Sequence, residues 1–371
     1  MKTAREVKVK KTRSTKSADS AVSTAKGFTF VDLFAGIGGF HMGMAANGGR
    51  CVFSNEWNKY AEKTYSEWTK CETFVPGDVR ELIGQVKIPR ADVLCAGFPC
   101  QPFSLAGVSK KNSLGRDHGF LDLEQGNLFF AICEIVRISE PLVLLLENVK
   151  NLKSHDKGRT WDRIHEELGV LGYEVFDDVI DASGWVPQHR ERVFLVCFRK
   201  ISFSPSERES FAFPTVPKNG PILSSILEQS PDQKYMLSDN LWAYLQEYAE
   251  RHRKRGNGFG FGLVGPEDVS RTLSARYHKD GSEILIKESG WRNPRRLTPS
   301  ECALLMGFNK DFADLMGFEG EFPIIVSDTQ AYRQFGNAVS PIVAMEIGAE
   351  IVKVLDTRAE RLSKRTRRRA S

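Results

Sequence analysis

The sequence has no C-x-x-C pair, no long apolar run and no secretory signal pattern, and each absence removes a class of protein. Its seven cysteines (Cys51, Cys71, Cys95, Cys100, Cys133, Cys197 and Cys302) are an odd number with no paired spacing. That argues against a disulfide framework and a zinc site, and for a reducing cytoplasm. No run approaches the ~18 apolar residues of a membrane span, and no hydrophobic signal core follows Met1. A cytoplasmic protein with no membrane contact is therefore expected. At 371 residues, 41% hydrophobic, the chain is long enough for one large domain and a smaller one.

The net charge of +5 is unevenly spread. Residues 1–27 hold eight Lys/Arg against two acids, and residues 357–371 hold seven against one. The two ends thus carry +12, which leaves −7 for residues 28–356. Both ends are Ser/Thr/Ala/Lys/Arg sequence with almost no large apolar residues, which predicts disordered basic tails. Such tails act as solubilising ends or as non-specific attraction for a polyanion such as DNA.

From Phe28 onward, short apolar runs alternate with amphipathic ones. FTFVDLF (28–34), CVFS (51–54), ADVLCAG (91–97) and PLVLLLENV (141–149) read as strands. The last two are continuous apolar runs of the kind buried on both faces. YEVFDDVI and RVFLVCF add two more, while NKYAEKTYSEW and NLFFAICEIVRI (127–138) have helical spacing. The alternation predicts an α/β protein: a Rossmann-like, doubly wound, mostly parallel sheet over residues 28–200. Ligands of such sheets bind outside the carboxyl ends of the strands. The pattern changes near Arg199. Residues 201–220, rich in Ser, Pro and Phe, read as a linker, and 201–329 as a whole reads as a smaller second domain with glycine turns such as RGNGFGFG (255–262). Residues 330–356 carry an amphipathic helix expected to return to the first domain.

DLFAGIGGF (32–40) follows the first strand, and Gly36, Gly38 and Gly39 would let the backbone turn tightly against a ligand. The dinucleotide fingerprint fails, because the position five after Gly36 is His41. Glu56 ends the second strand, where a carboxylate can take two hydrogen bonds from a ribose diol. Asp78, after the third strand, is placed to accept from an adenine amine. Three strand ends in succession fit an adenosine-containing cofactor. Glu147 closes the VLLLENV run, and a carboxylate there is costly unless it is capped, paired or functional. A raised pKa would let it donate to a heterocycle. In QHRERVF, Arg190 and Arg192 are two apart and project to one face, as an exposed edge pair or as an anion clamp. In GFPCQPFS, Pro99 and Pro102 prevent the strand from continuing or a helix from starting, which displays Cys100 at a strand end. Cys95, within the apolar run, reads as a core cysteine.

These residues resemble the bacterial DNA cytosine-5 methyltransferases. DLFAGIGGF, NEW, GDV, GFPCQPFS, GNLFF, LLENVKNLKSHD, VPQHRERVF, RRLTPSECALLMGF and QFGNAV appear in that family's order. The resemblance implies S-adenosylmethionine as cofactor, surrounded by Phe34, Ala35, Gly36, Ile37 and Gly39. Glu56 would sit on the ribose, Trp57 against the adenine and Asp78 on its amine, with Val79, Pro99, Leu128, Asn337 and Val339 as further contacts. Cys100 matches the nucleophile, Glu147 the base-binding acid, and Arg190 and Arg192 the supporting pair, with Arg190 expected to steady the ring carbonyl; no metal is implied. One departure is GNAV where the family usually has GNSV, and another is the polar insert SKKNSLGRDHG (109–119) after Cys100.

The likeness extends to the Dcm-type branch, which modifies the inner cytosine of CCWGG or CCNGG sites. AGVSKKNSLGRDHGF, RGNGFGFG and SRTLSARYHKDGSEILI carry it. The implied partner is double-stranded DNA, with the chain itself a monomer that acts either beside a cognate restriction endonuclease of the same site or as a solitary methylase. The target base must leave the duplex to be reached. Lys110, Lys111 and Arg116 on the loop after Cys100, and Arg271, Arg276, Tyr277 and Lys279 in the target-recognition region, are the expected DNA contacts. Two alternatives stand beside this reading: a tRNA cytosine methyltransferase of the same fold, and an inactive DNA-binding regulator. The large segment before residue 325 argues against the first, and intact Cys100, Glu147, Arg190 and Arg192 against the second.

Overall fold

The computed structural model describes residues 27–98, 128–257, 260–317 and 321–370. The first half contains β1 (Phe28–Leu33), β2 (Gly49–Glu56), β3 (Phe74–Pro76), β4 (Val93–Gly97), β5 (Val143–Val149), β6 (Tyr173–Asp181) and β7 (Glu191–Arg199). Between them lie α1 (Gly39–Ala46), α2 (Lys59–Thr69), α3 (Val79–Leu82), α4 (Leu128–Ser139) and α5 (Arg159–Val170). The strands form one seven-stranded sheet in the order β3-β2-β1-β4-β5-β7-β6. The first five run parallel. β7 is antiparallel to both β5 and β6. The link from Asp181 to Glu191 is too short for the crossover that a parallel pair requires, so a hairpin forms instead. The expected doubly wound, mostly parallel sheet is what the chain builds.

Alternation along the central strands loads both faces with apolar side chains. Leu94, Ala96, Leu144 and Leu146 pack on one side with Ile132 of α4 and Ile164 of α5. Val93, Cys95, Val143 and Leu145 pack on the other with Phe40 and Met44 of α1. Cys95 is fully buried there, a core cysteine as its place in the run indicates.

Three expectations about the remainder need correcting. Residues 201–220 are not a bare linker. They include a capped helix, α6 (Pro205–Glu209), and their phenylalanines join a ring cluster. Phe203 and Phe211 lie 5.3 and 5.4 Å from Phe198, and Phe213 lies 5.1 Å from Phe211. Aromatic burial against β6 and β7 outweighs the loop-like Ser/Pro composition.

The segment 201–329, expected as a separate domain, does add α7 (Asp239–Lys254), α8 (Pro299–Met306), α9 (Lys310–Leu315) and a small sheet. That sheet comprises β8 (Leu263–Val264), β9 (Leu285–Ile286) and β10 (Arg295–Arg296). Yet Leu223, Leu273, Ile284 and Leu297 share one apolar cluster with Ile37, Met42, Ala61 and Trp68 of the first half. The two parts have a continuous core.

After α10 (Asp328–Asn337), the last helix, α11, runs over Pro341–Ala370, so residues 357–370 are helical rather than a disordered tail. Arg358 Nε donates to the Ser202 carbonyl at 3.0 Å, and Arg361 Nε to the buried Glu207 carboxylate at 2.6 Å. Good helix formers and these two anchors override the basic composition. The N-terminal basic segment lies outside the described residues.

α11 returns to α1 at very close range. A Cβ on Gly39 would come within 2.1 Å of the Val339 carbonyl oxygen, and one on Gly43 within 2.6 Å of the Ala344 Cβ. Gly39 is thus required for packing of the returning backbone. Gly39→Ala should destabilise the protein by about 1–3 kcal/mol in urea unfolding, because backbone rather than a side-chain tip must yield. Unchanged stability would show that this approach is not native.

Candidate active site

A cleft of about 810 Å³ opens at the carboxyl ends of β1, β2, β4 and β5. Strand order reverses between β1 and β4 in this sheet, the position where such folds hold their ligands. The glycine turn after β1 lines one part. Phe34 and Gly36 both adopt left-handed backbone, with φ of 54° and 55°, so the chain folds back before α1. Phe34, Gly36, Ile37, Glu56, Trp57, Asp78, Val79, Leu128 and Asn337 all face the cleft.

Three expected contacts do not line it. Ala35 is buried with its N–H on the Asn55 carbonyl at 2.9 Å, and Gly39 and Val339 are occupied with each other. Ala338 lines the cleft instead. Pro99 lies outside the described residues.

The acids differ in how much hydrogen-bonding capacity they retain. Glu56 accepts from the backbone N–H groups of Gly36 (2.9 Å), Trp57 (2.9 Å) and Asn58 (2.7 Å). Of roughly four lone-pair sites on a carboxylate, about one remains for a hydroxyl, fewer than the two bonds expected. Burial pushes its pKa up, and those three N–H groups oppose the rise. Trp57 is 73% exposed, a large ring kept open beside the cleft. Asp78 caps α3 and accepts from Arg80 Nε at 2.9 Å. That pairing holds its pKa below the ordinary carboxylate value, so it stays an acceptor. Asn55 donates to the Val75 and Gly77 carbonyls, both at 2.9 Å, and so shapes the turn that presents Asp78.

The other end of the cleft is built on β5 and β7. Glu147 is buried at the end of β5, and burial raises its pKa against the opposing influence of Arg192 and then Arg190. Arg192 Nε lies 3.1 Å from Glu147 Oε1. Arg190, expected to steady the ring carbonyl, has its terminal nitrogens committed elsewhere. Its Nη1 donates to the Leu273 carbonyl (3.0 Å), and its Nη2 to those of Gly336 (3.1 Å) and Ala338 (2.8 Å). The guanidinium facing Glu147 is therefore that of Arg192. Next to Glu147, Asn148 Nδ2 donates to the Phe98 carbonyl at 2.8 Å. This fixes the point where the chain leaves β4 towards Cys100, which itself lies outside the described residues.

Among the expected DNA contacts, Arg271, Arg276 and Lys279 are exposed. Tyr277 is not available. It is fully buried, donates to the Ile284 carbonyl at 2.7 Å and accepts from Leu297 N–H at 2.8 Å. Its apolar ring and satisfied hydroxyl make it a core residue. Lys110, Lys111 and Arg116 lie outside the described residues.

Several cleft residues had no expectation attached to them. Gln330, Arg333 and Gln334 occupy positions i, i+3 and i+4 of α10 and join the expected Asn337 at i+7 in one polar face towards the cleft. That spacing was the available signal. His278, 3.3 Å from Arg333 through Nε2, had none.

The C-5 cytosine-specific DNA methylase family model matches residues 28–353. The DNA-cytosine methyltransferase of Escherichia coli (strain K12) is 45% identical over 381 residues, covering 89% of this chain and 77% of that protein. The type II methyltransferase M.NlaX of Neisseria lactamica is 44% identical over 338 residues, covering 90% and 99%. The crystal structure of S. pombe Dnmt2 methyltransferase aligns with a TM-score of 0.63 at 16% identity, over 90% of this chain and 99% of that one, a likeness of fold. With the match spanning both the glycine turn and the Glu147 end of the cleft, the chain belongs to the C-5 cytosine-specific DNA methylases and is a DNA-cytosine methyltransferase.

Proposed function

We propose that the cleft binds S-adenosylmethionine at the Glu56–Trp57 end and a flipped cytosine at the Glu147 end, and that Cys100 is the nucleophile. One observation carries the reading: a buried carboxylate with a raised pKa faces a guanidinium 3.1 Å away, beside the strand end from which the Cys100 segment departs.

The donor set fits the cofactor. Glu56 keeps about one acceptor site for a ribose hydroxyl, Trp57 offers an open face for a purine, and ionised Asp78 accepts from an exocyclic amine. S-adenosylmethionine supplies a methyl group on a positively charged sulfur. Cytosine C5 is a weak nucleophile while its ring is aromatic, and thiolate addition at C6 removes that aromaticity. Glu147, held towards its protonated form, donates at N3 as negative charge builds on the ring. Arg192 is the donor for the ring carbonyl, a role that Arg190 is too engaged to take. Once C5 has taken the methyl, loss of its proton and expulsion of Cys100 restore the aromatic ring.

The substrate is double-stranded DNA, with the inner cytosine of CCWGG or CCNGG as target. Arg271, Arg276 and Lys279 contact the duplex, while Arg333 and His278 line the cleft. The chain works as a monomer in the cytoplasm; no helix of the described residues is long and apolar enough to cross a membrane. Its type II relatives support pairing with a restriction endonuclease of the same specificity.

Two measurements test this. Duplex DNA incubated with the protein and S-adenosylmethionine should read out by bisulfite sequencing as methylated at the inner cytosine of those sites, and Cys100→Ser should abolish it. Equal transfer by that variant would overturn the nucleophile, and methylation only at other sequences would overturn the target. In the second, the sign follows from the raised pKa. Protonated Glu147 persists to higher pH than an ordinary carboxyl and is lost as pH rises through its pKa, so kcat should fall on that alkaline limb. Glu147→Gln should be about 10²–10⁴ slower and lack the limb. A wild-type limb retained in the variant would contradict the role.

A further inference from the structure

Three side chains that the methyl transfer does not use converge from three different elements. His41 projects from α1, Cys51 from β2 and Cys71 from the turn between α2 and β3, and their ligand atoms all lie within 4.8 Å of one another. We propose that His41, Cys51 and Cys71 bind a soft divalent metal ion of the zinc(II) class.

Two thiolates and an imidazole form a donor set suited to such an ion. With metal–ligand distances of about 2.0–2.3 Å, tetrahedral ligand atoms sit roughly 3.5–3.8 Å apart. Small side-chain rotations would close the remaining difference. A second observation points to a missing cation. Asp32 is fully buried in β1, and its carboxylate has at most the backbone N–H of His41 as a partner among the described residues. The His41 N–H sets it beside this cluster, and its charge acts on Cys71, Cys51 and Tyr65 as well as on Glu56 and Cys95. A buried carboxylate beside two thiols is costly unless positive charge is nearby, and a divalent ion at the three ligands would supply it.

The surroundings suit an ordered site. The Tyr65 hydroxyl lies 2.7 Å from His41 Nδ1, and the His41 ring packs edge-on against Phe30 at 5.3 Å. Ser54 Oγ donates towards the Cys71 sulfur at 3.6 Å, and Thr73 Oγ1 is 3.3 Å from it. Cys71 is only partly buried and gives a path from solvent. Bound metal would tie α1 to β2 and to the turn before β3, the elements that carry the glycine turn, Glu56 and Asp78. It would act as a clamp on the cofactor end of the cleft. The sequence-based expectation of no zinc site rested on the absence of C-x-x-C pairs. That criterion sees only ligands close in sequence, whereas these are 10 and 20 residues apart.

The full chain carrying Cys100→Ser, so that the nucleophile contributes no thiol, is reduced, stripped with EDTA and titrated with zinc(II) against a chromophoric indicator. One zinc per chain is expected, with affinity weakened about a hundredfold or more by adding Cys51→Ser or Cys71→Ser. Equal affinity in those variants overturns the site. To keep the test independent of how those variants fold, the parent chain is also alkylated with and without zinc(II) and mapped by peptide mass spectrometry. Zinc should slow alkylation of Cys71 about tenfold or more. Unchanged labelling of Cys71 overturns the proposal irrespective of how the variants fold.

Discussion

The guanidinium of Arg190 is the contact on which the cleft depends. It is buried, and its terminal nitrogens bond to the carbonyls of Leu273, Gly336 and Ala338. Those carbonyls belong to two stretches, the segment after Ser270 and the return towards α11, and Arg190 ties both to the hairpin entry on which it sits. Neighbouring bonds reinforce the clasp. Gln188 accepts from Leu273 N–H at 2.7 Å and donates to the Leu305 carbonyl at 2.9 Å, while His189 N–H donates to the Ser270 carbonyl at 2.8 Å. A charge this deeply buried is stabilising only when its hydrogen-bonding capacity is used, and here most of it is spent on backbone.

With Arg190 fixed, the two-residue period of β7 fixes Arg192 on the same face. The antiparallel pairing sets Arg192 opposite Val149, which brings its side chain diagonally to Glu147. A local pleat thereby becomes an electrostatic pair at the floor of the cleft. Burial keeps Glu147 towards its protonated form while Arg192 prevents the shift from becoming extreme. The opposite balance holds at Asp78, where hydrogen bonds from Arg80 outweigh partial burial and keep the carboxylate charged. One cleft thus holds a donor acid at one end and an acceptor acid at the other, the arrangement that separate roles require.

Much of this was legible in the sequence, for reasons that differ by residue. The strands β4 and β5 announce themselves because continuous apolar runs have one physical outcome in an α/β protein. Glu56, Asp78 and Glu147 were readable because a carboxylate at a strand end is conspicuous. Contacts between distant segments were not. Nothing in QHRERVF says that its first arginine will meet Gly336 rather than a ligand, and nothing in ARYHKDG says that Tyr277 will be buried and its neighbours exposed. The first outcome depends on backbone that arrives from more than 80 residues away, the second on Ile284 and Leu297, 7 and 20 residues further on. The segment 201–220 misled for a related reason, since its serines and prolines describe a loop while its phenylalanines were destined for the ring cluster beside Phe198. The helical end at 357–370 was missed because its composition reads as solvated, and only the partners of Arg358 and Arg361 draw it onto the body.

Hydrogen exchange by mass spectrometry tests the Arg190 clasp most directly, comparing Arg190→Ala with Arg192→Ala. Arg190→Ala should accelerate exchange in the peptides covering 270–275 and 335–340 while leaving β1 and β4 protected. Arg192→Ala should exchange like the parent chain and lose methyl transfer alone. Full protection of both peptides in Arg190→Ala would contradict the claim that this buried charge holds the cleft together.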